Sequence, residues 1–262
     1  MGDGKRAMNI GIITAMPEEF RAVAKNLDTV VAAPCGSFRG GRGSFAGHEF
    51  LLVESGMGID NAARGTEALI RAGRPDLLIS AGFCGGIEPE REAGDVVVAK
   101  KILITNESGF EEIPLLPSSI GRAFVARKDA PGERVFGGTF VTATVITSKE
   151  RLAKMMSGAY PNPVVEMESA AIALVAAENG IPLLAIRAVS DTAAEELEFT
   201  LDEFCDADMR RIRLYKVLLT VLRKPRIIPQ LVRLGFSSRT AAKSLTAVLP
   251  RLFSTLEDAA RR

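Results

Sequence analysis

The sequence predicts an α/β fold: a single three-layer domain with a central mixed sheet flanked by helices, plus a C-terminal helical extension. Short, almost wholly apolar runs alternate with amphipathic or alanine-rich runs that are long enough for helices. Several of the apolar runs end in glycine or acidic residues, as buried strands do where a sheet meets its ligand. We assign residues 8–222 to the domain and residues 223–262 to the extension.

The composition limits the chemistry that the chain can perform. Of its 262 residues, 47% are hydrophobic and 25% are charged, which is ordinary for a globular protein. Three scattered cysteines and one histidine, His48, offer neither zinc-site spacing nor a Ser-His-Asp triad, so we expect no metal and no cofactor. The apolar run at 8–16 is too short for a signal peptide, and no run approaches a membrane span. We therefore expect a cytoplasmic protein.

The first elements of the chain predict a strand that delivers a carboxylate to the edge of the sheet. Residues 8–16 form an apolar strand, and Pro17 suits the first position of a helix that runs to about residue 27. Glu18 and Glu19 lie in the first turn, where a carboxylate stabilises a helix by interacting with the positive end of its dipole. Because this turn follows the carboxyl end of a strand, Glu19 could equally face a ligand.

Glycine-rich segments follow, and each one marks a turn in the predicted fold. Residues 30–54 predict a β-hairpin or meander, with Arg39–Gly43 as a solvated hairpin tip or, alternatively, an anion-binding nest. Glu54–Gly58 predicts a close turn into a helix that reaches about residue 72, without the glycine pattern of a dinucleotide site. Gly85 and Gly86 end another buried strand, which indicates unusual backbone angles or a closely approaching group.

The stretch 165–191 carries the densest set of polar residues next to buried elements. Glu166 and Glu168 precede an alanine-rich helix that ends at Asn179-Gly180, and a buried strand follows from residue 183. Arg187 interrupts that strand and needs an anionic partner if it is buried. The strand ends at Asp191, so the sequence predicts a third carboxylate at the ligand edge of the sheet.

The extension differs from the domain in charge and in pattern. From residue 221 to the C-terminus, nine Lys and Arg stand against Glu257 and Asp258, a balance of +7 in a chain whose net charge is +1. Pro225, Pro229 and Pro250 separate amphipathic stretches, which predicts two or three short helices after a long helix at about 200–222. These short helices could pack on the domain or on another subunit, or they could present a basic surface to an anionic membrane or another acidic partner.

The motifs taken together resemble the purine nucleoside phosphorylase/nucleosidase superfamily, and within it the methylthioadenosine/S-adenosylhomocysteine nucleosidases. The resemblance covers about residues 8–222. Each motif is modest, but their order and spacing are specific in combination. They are Ile10–Glu19 (IGIITAMPEE), Glu54–Gly58 (ESGMG), Gly82–Gly86 (GFCGG) with Gly94–Val97 (GDVV), and Val165–Glu168 (VEME) with Arg187–Asp191 (RAVSD).

The resemblance implies cleavage of the N-glycosidic bond of a nucleoside and assigns a role to each residue. Asp191 would be the general acid that protonates N7 of the purine, so its side chain must hold a proton near neutral pH, which needs burial or a nearby carboxylate. Glu19 would be the general base that activates water. The other implied contacts are Glu168 with the ribose hydroxyls, Met167 under the sugar, Glu166 and Arg187 around the water, and Met57, Ser190, Phe83, Cys84 and Gly85 along the pocket.

Three departures from the family pattern leave the substrate open. Phe83 stands where these nucleosidases have a small hydroxyl residue, and this side chain would reshape the pocket. Val145 followed by Ile146 replaces an aromatic residue that stacks on the purine, and Leu201 replaces one that closes over the 5′ substituent.

The sequence leaves three functions open. Hydrolysis is favoured over phosphorolysis because the first turn offers carboxylates where a phosphate would need cations, although Arg39, Arg42 or Arg64 could overturn this. The third possibility is a non-catalytic nucleoside-binding or membrane-docked module. The resemblance also implies a homo-oligomer, typically a dimer. We expect a small-molecule nucleoside with water or phosphate as partners, and no nucleic acid.

Overall fold

The computed structural model describes residues 7–107, 109–116, 119–126, 134–144, 148–156, 158–195 and 223–260, together with residues 204, 206, 209 and 220. The strands are β1 Asn9–Thr14, β2 Asp28–Ala32, β3 Arg39–Phe45, β4 His48–Glu54, β5 Leu77–Gly86, β6 Val96–Asn106, β7 Gly109–Ile113, β8 Val135–Thr142, β9 Val164–Glu166 and β10 Leu183–Asp191. The helices are α1 Pro17–Ala24, α2 Ile59–Gly73, α3 Ser119–Ala126, α4 Lys149–Met156, α5 Ser169–Glu178 and α6 Ile228–Ala260, the last preceded by a 3-10 turn at Pro225–Ile227.

The strands form one mixed sheet that is closed at one end. The order is β10-β6-β8-β9-β5-β1-β4-β3-β2, with β7 on β6, and β10 also pairs with β5. The strands β5, β9, β8, β6 and β10 therefore make a ring, while β1 to β4 continue as an open sheet. The four strands β1, β4, β5 and β10 run parallel to one another, through the pairs β4–β1, β1–β5 and β5–β10. Their carboxyl ends therefore meet at one edge of the sheet. The predicted central mixed sheet is confirmed.

Helices cover both faces of the sheet, which confirms the predicted three layers. One face of β1, β5 and β10 forms a core with α1, α3 and α6, and it contains the buried rings of Phe50, Phe124 and Phe253. The other face packs against α2 and α5, whose alanines allow close approach. All ten residues of β5 are buried, as its apolar sequence between two helix layers requires. Among the described residues, no helix is both long enough and apolar enough to cross a membrane.

The predicted meander at 30–54 is confirmed, but its turn was misplaced. Arg39–Gly43 is neither a hairpin tip nor an anion nest, because these residues form the body of β3 and pair with both β2 and β4. A Cβ on Gly40 would lie 2.3 Å from the carbonyl oxygen of Ala33, so this glycine permits close strand contact. The chain turns instead at Ala46 and Gly47, which both have positive φ, as tight two-residue hairpin loops require.

The extension is one long helix rather than two or three short ones. Pro229 lies in the first turn of α6, where its missing N–H is tolerated, and Pro250 is accommodated inside the helix. From Ala241 to Leu256 the helix buries an apolar face against β10, α1 and α3, and this burial outweighs the proline penalty. The helix predicted at 200–222 lies almost wholly outside the described residues. The division of the chain after residue 222 stays a prediction.

Candidate active site

The candidate site lies at the edge where the parallel strands end. β1 ends at Thr14, β5 at Gly86 and β10 at Asp191, and the turns after β1 and β4 border the same edge. Ligands of open α/β sheets bind at such an edge. The polar side chains that the sequence places after these strands are therefore brought together. They form two groups, one around Arg187 and one around Asp191.

Glu19 is buried and satisfied by backbone donors. Its Oε2 accepts hydrogen bonds from the N–H groups of Ala15, at 2.8 Å, and Met16, at 2.9 Å, while Oε1 accepts one from Phe83 N–H at 2.8 Å. The carboxylate thus closes the first turn of α1 and ties it to β5. Burial raises the pKa of the Glu19 carboxyl, and the positive charge of Arg187 opposes that rise. Oε1 accepts only one of these bonds, so it can accept a second one from a ligand or water.

Arg187 has the anionic partner that its buried position requires. Its Nη2 donates to Glu166 Oε2 and to Ser169 Oγ, each at 3.0 Å, and its Nη1 donates to the carbonyl oxygen of Ser80 at 3.0 Å. The side chains of Arg187 and Glu166 are 3% and 1% exposed. Glu166 Oε1 accepts a further bond from Thr142 Oγ1 at 2.5 Å. This network joins β8, β9 and β10 and holds Glu166 as an acceptor only.

Glu168 follows Glu166 at the start of α5 and reaches the turn after β4. Its Oε1 accepts a hydrogen bond from Gly58 N–H at 2.9 Å, and its backbone N–H donates to Glu166 Oε2 at 3.1 Å. Burial, and next the negative charge of Glu166, raise the pKa of Glu168 to about 7, against the opposing effect of Arg187. The pKa of this carboxyl group therefore lies close to neutral pH.

Asp191 is paired with a lysine that the sequence did not indicate. Its Oδ2 forms an ion pair with Nζ of Lys149, at the start of α4, and its Oδ1 accepts a bond from Ser190 Oγ at 2.6 Å. Lys149 Nζ also donates to the carbonyl oxygens of Thr192, at 2.7 Å, and Glu195, at 3.0 Å. The resemblance required burial or a nearby carboxylate to hold a proton on Asp191, whereas its side chain is 14% exposed and its charged neighbour is an ammonium group.

Gly85 and Cys84 lie between the two groups. A Cβ on Gly85 would lie 2.8 Å from Asp191 Oδ2 and 2.9 Å from Lys149 Cε, so this glycine is required by close approach rather than by unusual backbone angles. The Cys84 carbonyl accepts a bond from Ser190 Oγ at 3.2 Å. Burial raises the pKa of the Cys84 thiol well above its usual value, which keeps it protonated.

The remaining predicted site residues fall into three situations. Met57 and Met167 are half-buried and adjoin Glu168 through Gly58 and the peptide of residue 167. The ring of Phe83 is 7% exposed and belongs to the core on the α1 side, so its observed contact with the site is its N–H donated to Glu19. The positions of Val145, Ile146 and Leu201 lie outside the described residues.

Sequence reasoning missed Lys149. The sequence assigned this residue no role in the site, whereas the structure buries its side chain against Asp191. A lysine at the beginning of a helix is unfavourable for the helix dipole, and this was the one available signal. Thr142 and Ser169 were missed as well, because a hydroxyl group on a strand or helix carries no pattern of its own.

The two groups differ in net charge, and this determines what they can do chemically. The carboxylates of Glu19, Glu166 and Glu168 surround one guanidinium, so this group favours a positive charge that develops nearby. Asp191 and Lys149 form a balanced pair that can deliver or accept a proton. Within the described ranges, no three His, Cys, Asp or Glu side chains are grouped as metal ligands. The single histidine, His48, accepts a bond from Met8 N–H at 3.1 Å.

The fold and the acidic site at its carboxyl edge define an α/β enzyme of the kind that binds a small polar substrate. The chain belongs to the phosphorylase superfamily, whose family model matches residues 9–223. A 5′-methylthioadenosine/S-adenosylhomocysteine nucleosidase of Listeria innocua is 32% identical over 215 residues, which cover 75% of this chain and 92% of that protein. A nucleosidase of the same description from Exiguobacterium sp. is 30% identical over 213 residues, covering 76% and 91%. The resemblance found in the sequence is confirmed.

Solved structures share the fold at lower identity. A 5′-methylthioadenosine/S-adenosylhomocysteine nucleosidase of Neisseria meningitidis, in complex with methylthio-immucillin-A, aligns with a TM-score of 0.70 and 24% identity over 94% of this chain and 98% of that one. A mutant futalosine hydrolase of Helicobacter pylori aligns with a TM-score of 0.65 and 18% identity over 94% and 100%. Proteins with different names thus share this fold, and the fold alone does not select a substrate.

Proposed function

We propose that this chain hydrolyses the N-glycosidic bond of a purine nucleoside similar to methylthioadenosine or S-adenosylhomocysteine and releases the base. The observation that carries the proposal is the placement of Glu19, Glu168 and Asp191 at one edge of the sheet, in a chain that belongs to the phosphorylase superfamily. An excess of buried carboxylates suits a reaction in which the sugar becomes an oxocarbenium-like cation.

At the base end, Asp191 donates a proton to N7 of the purine as the bond between the sugar and the base breaks. The bonding electrons stay with the purine, and protonation makes it a better leaving group. In the ion pair the proton is on the ammonium group of Lys149, so Lys149 passes it through Asp191 Oδ2 to N7 and is left as a neutral amine. Ser190 holds the other carboxylate oxygen at 2.6 Å and so fixes the direction in which Asp191 faces.

At the sugar end, Glu168 accepts hydrogen bonds from the ribose hydroxyls, and Met167 and Met57 pack against the sugar. The half-buried positions of these methionines next to Glu168 support this assignment. Ionised Glu168 accepts from hydroxyl groups better than the protonated form does, so its pKa of about 7 links substrate binding to pH.

Glu19 activates the water that attacks the sugar. Its three backbone donors fix the carboxylate, and a raised pKa makes it a better base than an ordinary glutamate. The water adds to the anomeric carbon and loses a proton to Glu19. Arg187 and Glu166 lie beside this position and hold the network rigid.

Hydrolysis fits the site better than phosphorolysis does. Arg39, one of the three cations that could have bound phosphate, has its charge balanced by Glu54 at 2.7 Å. Arg42 and Arg64 are exposed to solvent, and Arg187 is engaged with Glu166. A phosphate arriving beside Glu19 and Glu168 would therefore meet carboxylates without a free buried cation among the described residues.

The experiment that tests this function is a nucleoside panel assayed by release of the base, with and without inorganic phosphate. We expect release from a nucleoside with a 5′-thio substituent, at a rate that phosphate does not change. A strict requirement for phosphate would place the enzyme among the phosphorylases. The absence of base release from every purine nucleoside tested would favour a non-catalytic binding module instead.

We also propose that the chain acts as a homodimer in the cytoplasm. Leu174, on the alanine-rich helix α5, is 41% exposed, and a second subunit would cover it. Sedimentation of the Leu174→Glu variant would give a smaller particle if this helix lies in the interface. Finally, we propose that the basic extension contacts an anionic membrane.

A further inference from the structure

The first turns of α6 expose an apolar stripe. Ile228, Val232 and Phe236 are 45%, 54% and 64% exposed, and they follow one another at steps of four residues, which places them on one side of the helix. The opposite side carries Leu231 and Leu234, which pack against Phe204 and Ile227. This part of the helix is therefore held on the protein while a continuous row of large apolar side chains faces outwards.

The same segment is strongly basic. Between residues 223 and 243 the sequence has no Asp or Glu, and it has six cationic residues, all of them exposed: Arg223, Lys224, Arg226, Arg233, Arg239 and Lys243. Arg233 approaches Glu195 at 3.7 Å, a distance at which an exposed pair contributes little. A positive surface around an apolar stripe is the pattern of helices that lie in the plane of an anionic membrane.

A basic cleft adjoins the stripe. It lies between α1 and α6, has a volume of about 440 Å³, and contains Arg21, Lys25, Arg239 and Lys243 with a single carboxylate, Glu18. Ala22, Ala242 and Ala247 give it an apolar floor. Glu18 is paired with Arg21 at 2.5 Å, so the cleft as a whole remains positive.

Arg239 connects the two features. Its guanidinium lies 5.9 Å from the centre of the Phe236 ring, and it also lines the cleft. Along the helix, Arg239 and Lys243 continue the stripe at steps of three and four residues. One face of α6 thus presents apolar side chains first and a cationic cleft immediately afterwards.

We propose that this face docks the enzyme on an anionic phospholipid membrane. The side chains of Ile228, Val232 and Phe236 enter the boundary between head groups and acyl chains, and the cleft at Arg239 receives a lipid phosphate. A membrane is favoured over a nucleic acid because only a membrane accepts the apolar stripe and the cations at once. This face is the part of the basic extension that contacts the membrane. Docking through it does not depend on the nucleoside chemistry.

Vesicle flotation of the full chain tests the proposal. We expect binding to phosphatidylcholine vesicles that contain phosphatidylglycerol, and at least tenfold weaker binding, as an order-of-magnitude expectation, to vesicles of phosphatidylcholine alone. Binding should weaken as the salt concentration rises, because the charges are exposed. Equal binding to both kinds of vesicle, or binding to neither, would overturn the proposal.

Matched variants locate the contact. Phe236→Ser should reduce binding about tenfold or more, whereas Val31→Ser, which removes an aliphatic side chain 55% exposed on β2, should leave it unchanged. The double variant Arg239→Glu with Lys243→Glu should abolish binding, and the control Arg71→Glu with Lys154→Glu changes the charge equally at exposed positions on α2 and α4. If the control lost vesicle binding to the same extent, the loss would be due to overall charge, and the assigned surface would be refuted.

Two further measurements separate this surface from the alternatives. Release of the base from a soluble nucleoside should be unchanged in all of these variants, so that a failure of the proposed chemistry and a failure of docking are distinguishable. If Phe236→Ser alters sedimentation while vesicle binding is retained, a second copy of the chain covers the stripe and the proposal is wrong.

Discussion

The two ends of the candidate site differ in the balance of their charges: carboxylates are in excess at the sugar end and are matched by a cation at the base end. At the sugar end, three buried carboxylates share one guanidinium, and backbone N–H groups donate hydrogen bonds to all three. At the base end, one carboxylate faces one ammonium, and the side chain of Asp191 is 14% exposed, against 1% for Glu166. The first arrangement accumulates negative charge, and the second balances it.

The difference teaches where a charge is expected to develop. Burial raises the pKa values of Glu19 and Glu168, and the negative charge of Glu166 adds to the rise at Glu168, so a positive charge on a bound ligand would be stabilised at the sugar end. The base end has no such excess and is placed to exchange a proton with its ligand. A substitution at the base end should therefore impair protonation of the base, whereas a substitution at the sugar end should impair activation of water or stabilisation of the cationic sugar.

The largest effect is expected at the base end. Asp191→Asn removes the proton donor while preserving shape, so kcat for base release should fall by about 10³-fold, within the usual range for general acids. KM should change little because the sugar end is intact. Steady-state kinetics on a 5′-thio nucleoside provides the check, and near wild-type release from the variant would show that another group protonates the base.

The corresponding change at the sugar end is Glu19→Gln. We expect a loss of about 10²-fold in kcat, because the amide cannot accept the proton of the attacking water. An amide oxygen can still accept some of the N–H bonds that Glu19 accepts, so the fold should persist in circular dichroism. A variant that folds and retains full activity would remove Glu19 from the chemistry.

Variants of Lys149 test whether cleavage requires the ion pair between Lys149 and Asp191. Lys149→Met should lower kcat about tenfold or more and change the shape of its pH profile, because Asp191 loses its ion-pair partner. Lys149→Arg should recover part of the activity. Lys154→Met, at an exposed position on the same helix, is the control and should behave as wild type. An unaltered pH profile in Lys149→Met would reduce this lysine to a structural role.

The smallest predicted effect concerns the pH dependence set by Glu168. Because its pKa is raised to about 7, kcat/KM should rise with pH and level off above pH 7 as the carboxylate forms. Glu168→Gln should raise KM about tenfold through weaker ribose binding and should remove this limb of the profile. A limb that survives the substitution would have to come from another group.

The same group predicts how folding stability responds to pH. The folded chain keeps a proton on Glu168 up to about pH 7, whereas the unfolded chain releases it near the ordinary carboxyl value. The folded state therefore binds more protons in this window, and the free energy of unfolding should fall as pH rises through it. Denaturant titrations at several pH values should show a shallower fall in Glu168→Gln, and an identical slope would contradict the raised pKa.

Much of the fold and the carboxylates of the site could be predicted because their signals are local. Apolar strands that end in Glu54 or Asp191 are read from a few residues, and the order of the motifs supplied the family. Lys149 was missed because its partner is 42 residues away along the chain, beyond α4, β9 and α5, and only tertiary folding brings the two together. The β3 strand and α6 were misassigned because glycine and proline suggest breaks that tertiary packing overrides.

The central claim is that water, activated at Glu19, attacks the sugar as Asp191 protonates the base. Single-turnover cleavage of a 5′-thio nucleoside in ¹⁸O-labelled water, followed by mass spectrometry of the sugar, tests it most directly. The account predicts one ¹⁸O atom at the anomeric carbon of the released sugar, with or without phosphate present. A sugar 1-phosphate as the sole product, formed only when phosphate is added, would contradict it.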